Sequence, residues 1–355
     1  MAVADDPRLK SGWQLKKPSR GRAEHRRYNR PYPFQHSSRM ADLIPSPTSH
    51  SYFSQRMRLH YLDWGNATAP NMLLVHGMRD HGHNWDWLAR SLCADHHIVA
   101  PDLRGHGDSE WPQGGSYSNV DYVYDLAQLV HQIRFSRCTM IAHSMGGTLA
   151  CIYAGLYPEH VERLIVIEAV GLFRHWERFR AEQRDTSAGA SEVLPEVLPE
   201  VLPEVLPEVL KMREWVDSSR QLAGRLPKRY ASLEEAYQRM QLTNPHLSPD
   251  RARHLTVHGS NQNEDGTYSW KFDNYTHARA PYDFPDRDVI ALWQRITCPV
   301  LLLNSKNGYP HRIGQDDTAH YFANVEVDEI EDAGHWTHHD QPEAVLARIR
   351  RFMAK

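Results

Sequence analysis

The chain has 355 residues, 41% hydrophobic and 24% charged, enough to bury a large core in one or two domains. A formal net charge of -3 supplies no global basic field, so nucleic acid is not an expected partner. No run of about 18 apolar residues occurs, which excludes a helix stably inserted in a membrane.

Residues 1–48 are basic and polar, with Arg20, Arg22, Arg26, Arg27 and Arg30 among several prolines and no hydrophobic periodicity. Disorder is expected there. A tail for a nucleic-acid or membrane surface is one alternative, and an extension upstream of a true start at Met40 is another. The opening "MAVADDPRLKSGWQLKKPSR" has no apolar core of the secretory kind. Cys93, Cys138, Cys151 and Cys298 are too scattered for a disulfide framework and lie mostly in apolar runs. Reduced core thiols and a cytoplasmic location are therefore expected.

"YFSQRMRLHYLDWG" alternates about a turn and predicts a hairpin. Short apolar runs then end in turn residues at "MLLVHG" (72–77) and "HHIVAPD" (96–102). Val123, Leu126, Val130 and Ile133 at helical spacing predict a helix over 119–133. "CTMIAH" (138–143), a helix over 145–157 and "ERLIVIEA" (162–169) follow. The alternation resumes with "CPVLLLN" (298–304), a helix near 315–322, "VEVDEIED" (325–332) and a closing helix from about 341. Apolar strands alternating with helices predict an α/β fold, a mostly parallel sheet with helices on both faces. Its core would span 49–171 and 291–355, interrupted by an inserted helical domain over 172–290. The interruption holds "EVLPEVLPEVLPEVLPEVL" (192–210), where proline at every fourth position argues against a regular helix. A repeat expansion in a surface loop and an apolar flap over a pocket mouth are the two readings.

In open α/β sheets ligands bind at the carboxyl ends of the strands, and "IAHSMGG" puts Ser144 there, between a strand and a helix. A tight strand-to-helix corner strains the serine backbone and lifts Oγ clear of the sheet, provided the residues two before and two after are small. Ala142 and Gly146 meet that condition. The corner also points the first free N–H groups of the helix at an incoming anion. Met145 would supply one oxyanion donor and Met78, in "HGM" after the earlier strand, the other. "DAGHWTHHDQP" (332–342) hangs His335 on the loop after the last strand, where a base is needed.

"LLVHG", "PDLRGHGDS" (101–109), "AHSMGG" and "GHW" together resemble the α/β-hydrolase fold superfamily over about residues 50 to 355. "GHWTHHDQPEAV" and "GHNWDWLARSL" look like the epoxide-hydrolase and haloalkane-dehalogenase branch. That branch carries aspartate at the nucleophile position, where this chain has Ser144, as esterases, lipases and carbon–carbon-bond hydrolases do. "RYASLEEA…NPHLS" (229–248) is similar to serine hydrolase-like proteins. The resemblance implies a helical cap over 172–290, a serine nucleophile with His335 as its base, and no cofactor.

A triad also needs a carboxylate. Where the family usually keeps it, after the strand 298–304, this chain has "NSKNGYPH", with Asn307 near the expected aspartate. The resemblance implies a second position, at the end of the strand after the nucleophile helix, where "RLIVIEAVG" presents Glu168. A carboxylate following Leu-Ile-Val-Ile needs a reason, since an unpaired buried charge is expensive. A structural salt bridge is the other reason it could be there. Asp316, Asp317 and Asp332 are the fallback acids. Asp102 reads as a loop-fixing residue, and His76, His81, His83, His106 and His143 as structural or pocket-lining. "HGHNW" has no standard metal spacing, so no metal is expected. The expected activity is hydrolysis of small to medium carboxylic esters. Carbon–carbon-bond hydrolysis and a non-catalytic ligand-binding role are the alternatives.

Overall fold

The computed structural model describes residues 45–114, 117–172, 207–278, 280–315 and 317–355. Of the segment 1–48 expected to be disordered, residues 1–44 lie outside them and Thr48 already belongs to a strand; all but the last unit of the Glu-Val-Leu-Pro array also lies outside them.

β1 (Thr48–Ser54) and β2 (Met57–Asp63) form the predicted hairpin. Its two turn residues, Gln55 and Arg56, both have positive φ (47° and 71°), the backbone hand that suits the right-handed twist of the strands. β3 (Asn71–Val75), α1 (Asp86–Leu92), β4 (His97–Pro101), α2 (Asn119–Gln132), β5 (Cys138–His143), α3 (Met145–Leu156) and β6 (Val161–Ile167) follow. After an excursion come α7 (Asp286–Gln294), β9 (Val300–Ser305), β10 (Val325–Ile330), α8 (Thr337–Asp340) and α9 (Pro342–Met353). The described strands form an eight-stranded sheet in the order β1-β2-β4-β3-β5-β6-β9-β10. It is antiparallel where β2 meets β1 and β4, and parallel from β4 to β10.

The apolar runs are continuous because both sheet faces are covered. Leu73, Val75, Met140, Ala142, Leu164, Val166 and Leu302 bury against α2, α3 and α7. The alternate residues Met72, Leu74, Ile141, Ile165, Ile167, Leu301 and Leu303 bury against α1 and α9. At roughly 1.5–3 kcal/mol for each fully buried large aliphatic side chain, these two layers dominate the favourable side of folding. Among the described residues, no helix is long and apolar enough to cross a membrane. All four cysteines are free and buried.

The excursion carries α4 (Pro207–Leu222), α5 (Leu233–Thr243), α6 (Pro249–Gly259) and a small hairpin of β7 (Ser260–Gln262) and β8 (Tyr268–Trp270). Ser232 caps α5 by accepting from Glu235 N–H, while Glu235 accepts from the N–H of Ala231, one residue before the cap. Asp273 ties the excursion to the core. Its N–H donates to Gly105 O at 2.8 Å, and its carboxylate accepts from the Tyr117 hydroxyl at 2.6 Å.

Two expectations are corrected. The last unit of the array, residues 207–210, begins helix α4: proline at the first position of a helix has no donor to lose. The helix expected near 315–322 is only a 3-10 turn at Ala319–Tyr321. Gly314 and Asp317 take positive φ, and the Thr318 hydroxyl accepts from Gly314 N–H and donates to Gln315 O, local bonds that compete with a helical ladder.

Candidate active site

Ser144 stands at φ 52°, ψ -123°, between β5 and α3. Such a backbone costs of order 1–3 kcal/mol and is held by its surroundings. Ser144 N–H donates to Ile167 O at 2.9 Å, and Ser144 O accepts from Gly147 N–H at 2.9 Å. Gly146 lets α3 press on β3, since a Cβ there would overlap the Val75 carbonyl oxygen, 2.5 Å away. A Cβ on Gly77 would lie 2.9 Å from His143 Nδ1 and 3.0 Å from Ser144 Cβ, so the Gly77–Met78 backbone runs against the corner. Met78, Ser144 and Met145 line one cavity of about 960 Å³, together with His335 and Asn307.

His335 Nε2 lies 2.9 Å from Ser144 Oγ, and its Nδ1 lies 3.4 Å from Glu168 Oε2. The histidine sits on the loop after β10. Asp340 braces that loop by accepting Gly334 N–H at 2.8 Å, and the buried His143 ring bonds the His335 carbonyl through Nε2 at 2.8 Å. Burial, with His335 beside it, drives the His143 pKa well below its usual range and keeps the ring neutral. Tyr309 stacks on His335 with ring centroids 4.0 Å apart.

Glu168 repeats the serine's geometry one strand along. It directly follows β6 at φ 53°, and its N–H donates to Leu303 O at 3.0 Å. The side chain is fully buried. Oε1 accepts Ser305 N–H at 2.5 Å and pairs with the buried Arg312 guanidinium, while Oε2 accepts Tyr309 N–H at 3.2 Å and faces the histidine. A Cβ on Gly308 would strike the Glu168 carboxylate. The carboxylate therefore has both of the reasons considered from sequence, a buried ion pair and a histidine partner.

Asn307 lines the cavity, and its N–H donates to Ala333 O. Asp317 and Asp332 are exposed, and Asp316 lies outside the described residues. Asp102 knots its loop, bonding His60 Nδ1, Gly82 N–H and Asp108 N–H at 2.7, 2.6 and 2.8 Å. Arg312, Tyr309 and Gly308 went unread in the sequence. Arg312 carries no local motif, and only the glycine directly after Asn307 hinted that a bulky neighbour would be excluded.

The excursion supplies the far wall of the cavity with Tyr230, Met240, Leu247, Leu255, Trp270 and Phe272. Arg79 and His277, on opposite segments, approach to 2.6 Å (Nη2 to Nδ1) beside it.

Residues 70–342 match the family model described as alpha/beta hydrolase fold. A serine hydrolase-like protein of Danio rerio is 26% identical over 82% of this chain and 83% of its own length. Epoxide hydrolase 4 of Mus musculus is 33% identical over 35% of each chain. Among solved structures, a thioesterase domain from the curacin biosynthetic pathway has a TM-score of 0.68 at 19% identity, over 86% of this chain and 99% of its own. An esterase of Mycobacterium tuberculosis has 0.63 at 18%, over 88% and 92%. With the eight-stranded sheet and the match over most of its length, this chain belongs to the α/β-hydrolase fold family.

Proposed function

We propose that the protein is a serine hydrolase that cleaves carboxylic esters of small to medium size. Ser144 is the nucleophile, His335 the base and Glu168 the acid that orients it; the Met78 and Met145 N–H groups form the oxyanion hole. The observation that carries this reading is the 2.9 Å approach of His335 Nε2 to Ser144 Oγ at the wall of a cavity of about 960 Å³.

Ser144 Oγ attacks the acyl carbon as His335 Nε2 takes its proton, and the carbonyl oxygen gains the charge that the two N–H groups receive. One such donor lowers the barrier by about 3–4 kcal/mol. Protonated His335 hands the proton to the departing alcohol. It then activates a water that attacks the acyl-enzyme, and the carboxylic acid leaves as Ser144 recovers its proton. The Glu168 contact at 3.4 Å is long for a hydrogen bond, and it tightens in this scheme when the imidazolium forms. No step calls for a cofactor. Residues 172–290 act as the cap in this reading, and their described part gives the apolar wall for the acyl or alcohol group.

Epoxide opening does not suit a serine. Its alkoxide would form an ether, which offers water no carbonyl to attack, so the intermediate could not be cleared.

A fluorophosphonate probe is expected to label Ser144, and Ser144→Ala to lose both the label and ester hydrolysis by at least about 10⁴-fold with an unchanged melting curve. A label on another residue, or esterase activity retained by Ser144→Ala, would refute the assignment. A panel of esters against vinylogous diketones separates ester from carbon–carbon hydrolysis.

A further inference from the structure

Away from the serine, four side chains converge that the expected chemistry leaves idle. Asp86 opens α1 and His83 lies in the 3-10 turn just before it, and His254 and His258 stand one turn apart on α6, in a segment 171 residues further along the chain. One ligand atom from each falls within a group no wider than 4.8 Å. The Asp86 carboxylate is almost fully buried, and His83 Nδ1 reaches its two oxygens at 3.1 and 3.2 Å. His254 Nε2 comes to 3.2 Å from Oδ2. His258 stacks on His83 with ring centroids 3.8 Å apart, and its ring lies 4.5 Å from that of His254.

We propose that His83, Asp86, His254 and His258 form a binding site for a first-row divalent cation of the zinc type, joining the core to α6. Three imidazoles and one carboxylate are the borderline nitrogen and oxygen donors such ions take in four-coordinate sites. Histidines at i and i+4 share one helix face, so α6 offers two ligands without distortion. The ligand atoms need to draw in by about 1 Å to reach the usual 2.0–2.2 Å bonds, a movement within the reach of side-chain torsions. The ligands have outer partners already. Arg90 Nη2 lies 3.4 Å from Asp86 Oδ2, and the Trp87 ring meets His254 edge-on at 4.6 Å; such contacts orient ligands. The sequence hid the site because "HGHNWD" holds only half of the donors.

The test uses the full chain at neutral pH, with Zn²⁺ in competition against a chromophoric chelator and Co²⁺ as a spectroscopic probe. One Zn²⁺ is expected to bind at micromolar or tighter affinity, and Co²⁺ to show the intense visible bands of a tetrahedral site. His254→Ala/His258→Ala should weaken Zn²⁺ binding at least tenfold and erase those bands while ester hydrolysis and the circular-dichroism spectrum persist. His258→Cys, which keeps a ligand, should retain the tight site. Zn²⁺ should also raise the melting temperature of the wild type and not of the double variant. Equal Zn²⁺ affinity in wild type and double variant would overturn the proposal, as would octahedral Co²⁺ spectra in both. Neither result bears on Ser144, whose labelling is read separately.

Discussion

The carboxyl ends of β5 and β6 and the excursion between β6 and β9 contribute to one cavity on different physical terms. At the strand ends almost every atom is determined by neighbours. Ser144 and Glu168 hold positive φ under backbone bonds from the adjacent strand, and glycines at 77, 146 and 308 stand where a Cβ would collide. In the excursion the cluster of buried hydrophobic residues is small, Leu247, Ala252 and Leu255, and Gly224 and Gly266 have open space around them. The difference teaches that packing in this protein is tightest around the strained corners at Ser144 and Glu168 and sparser in the excursion. Strained backbone survives only where surroundings over-determine it.

The largest expected effect is at Glu168. Glu168→Gln should cut kcat by about 10⁴-fold, the cost of the equivalent acid-to-amide change in a protease triad. It also removes one partner of a buried ion pair, so urea unfolding should show a stability loss, of up to about 3–5 kcal/mol. Arg312→Met separates the two roles: it should share the stability loss and retain far more of kcat. A near-normal kcat in the folded Glu168→Gln enzyme, alongside the stability loss, would mean that Glu168 serves the fold alone.

Gly308→Ala sharpens the same contrast with a single methyl. The new Cβ must displace the Glu168 carboxylate, so kcat should fall by at least about tenfold, corresponding to a barrier change of about 1.4 kcal/mol, with little change in KM. A variant as active as wild type would show that the carboxylate has slack that its buried bonds do not suggest.

Acid should destabilise the core end as well as the excursion, where burial pushes His277 down to about 4. Burial pushes His76 and His81 down to about 4 and His106 down to about 3. Their folded pKa values lie below the unfolded value near 6.5, so the unfolded chain binds more protons between those limits. Stability is therefore complete above about pH 6.5 and falls as pH drops toward 4, by on the order of 1 kcal/mol per histidine at pH 5.5. Denaturant titrations at pH 7.5 and 5.5 measure it, and a flat profile would mean that these rings accept protons in place.

Gly224→Ala, in the excursion, is the smallest perturbation. Only its φ of 75° opposes a side chain, so the cost should be about 1–2 kcal/mol, with kcat/KM for a short ester unchanged. A drop in kcat/KM as large as that of Gly308→Ala would erase the contrast between the two regions.

The amino-acid sequence by itself determined strands β1 to β6, β9 and β10 and helices α2, α3 and α9. It also determined the corner at Ser144 and the loop position of His335, because each follows from local pattern: apolar runs, small residues around a turn, a histidine after the last strand. It pointed to Glu168 by anomaly, a carboxylate where an apolar strand should end. Tertiary structure alone decided what that carboxylate touches, since Arg312 and Gly308 approach it from a loop on another strand and leave no spacing to read. It likewise decided that Gly314 and Thr318 break the helix expected near 315–322, and that two histidines of α6 meet His83 and Asp86. Periodicity reports the solvent and core faces of one segment. Pairings between segments distant in the chain are chosen by how their elements pack, and no single segment carries that information.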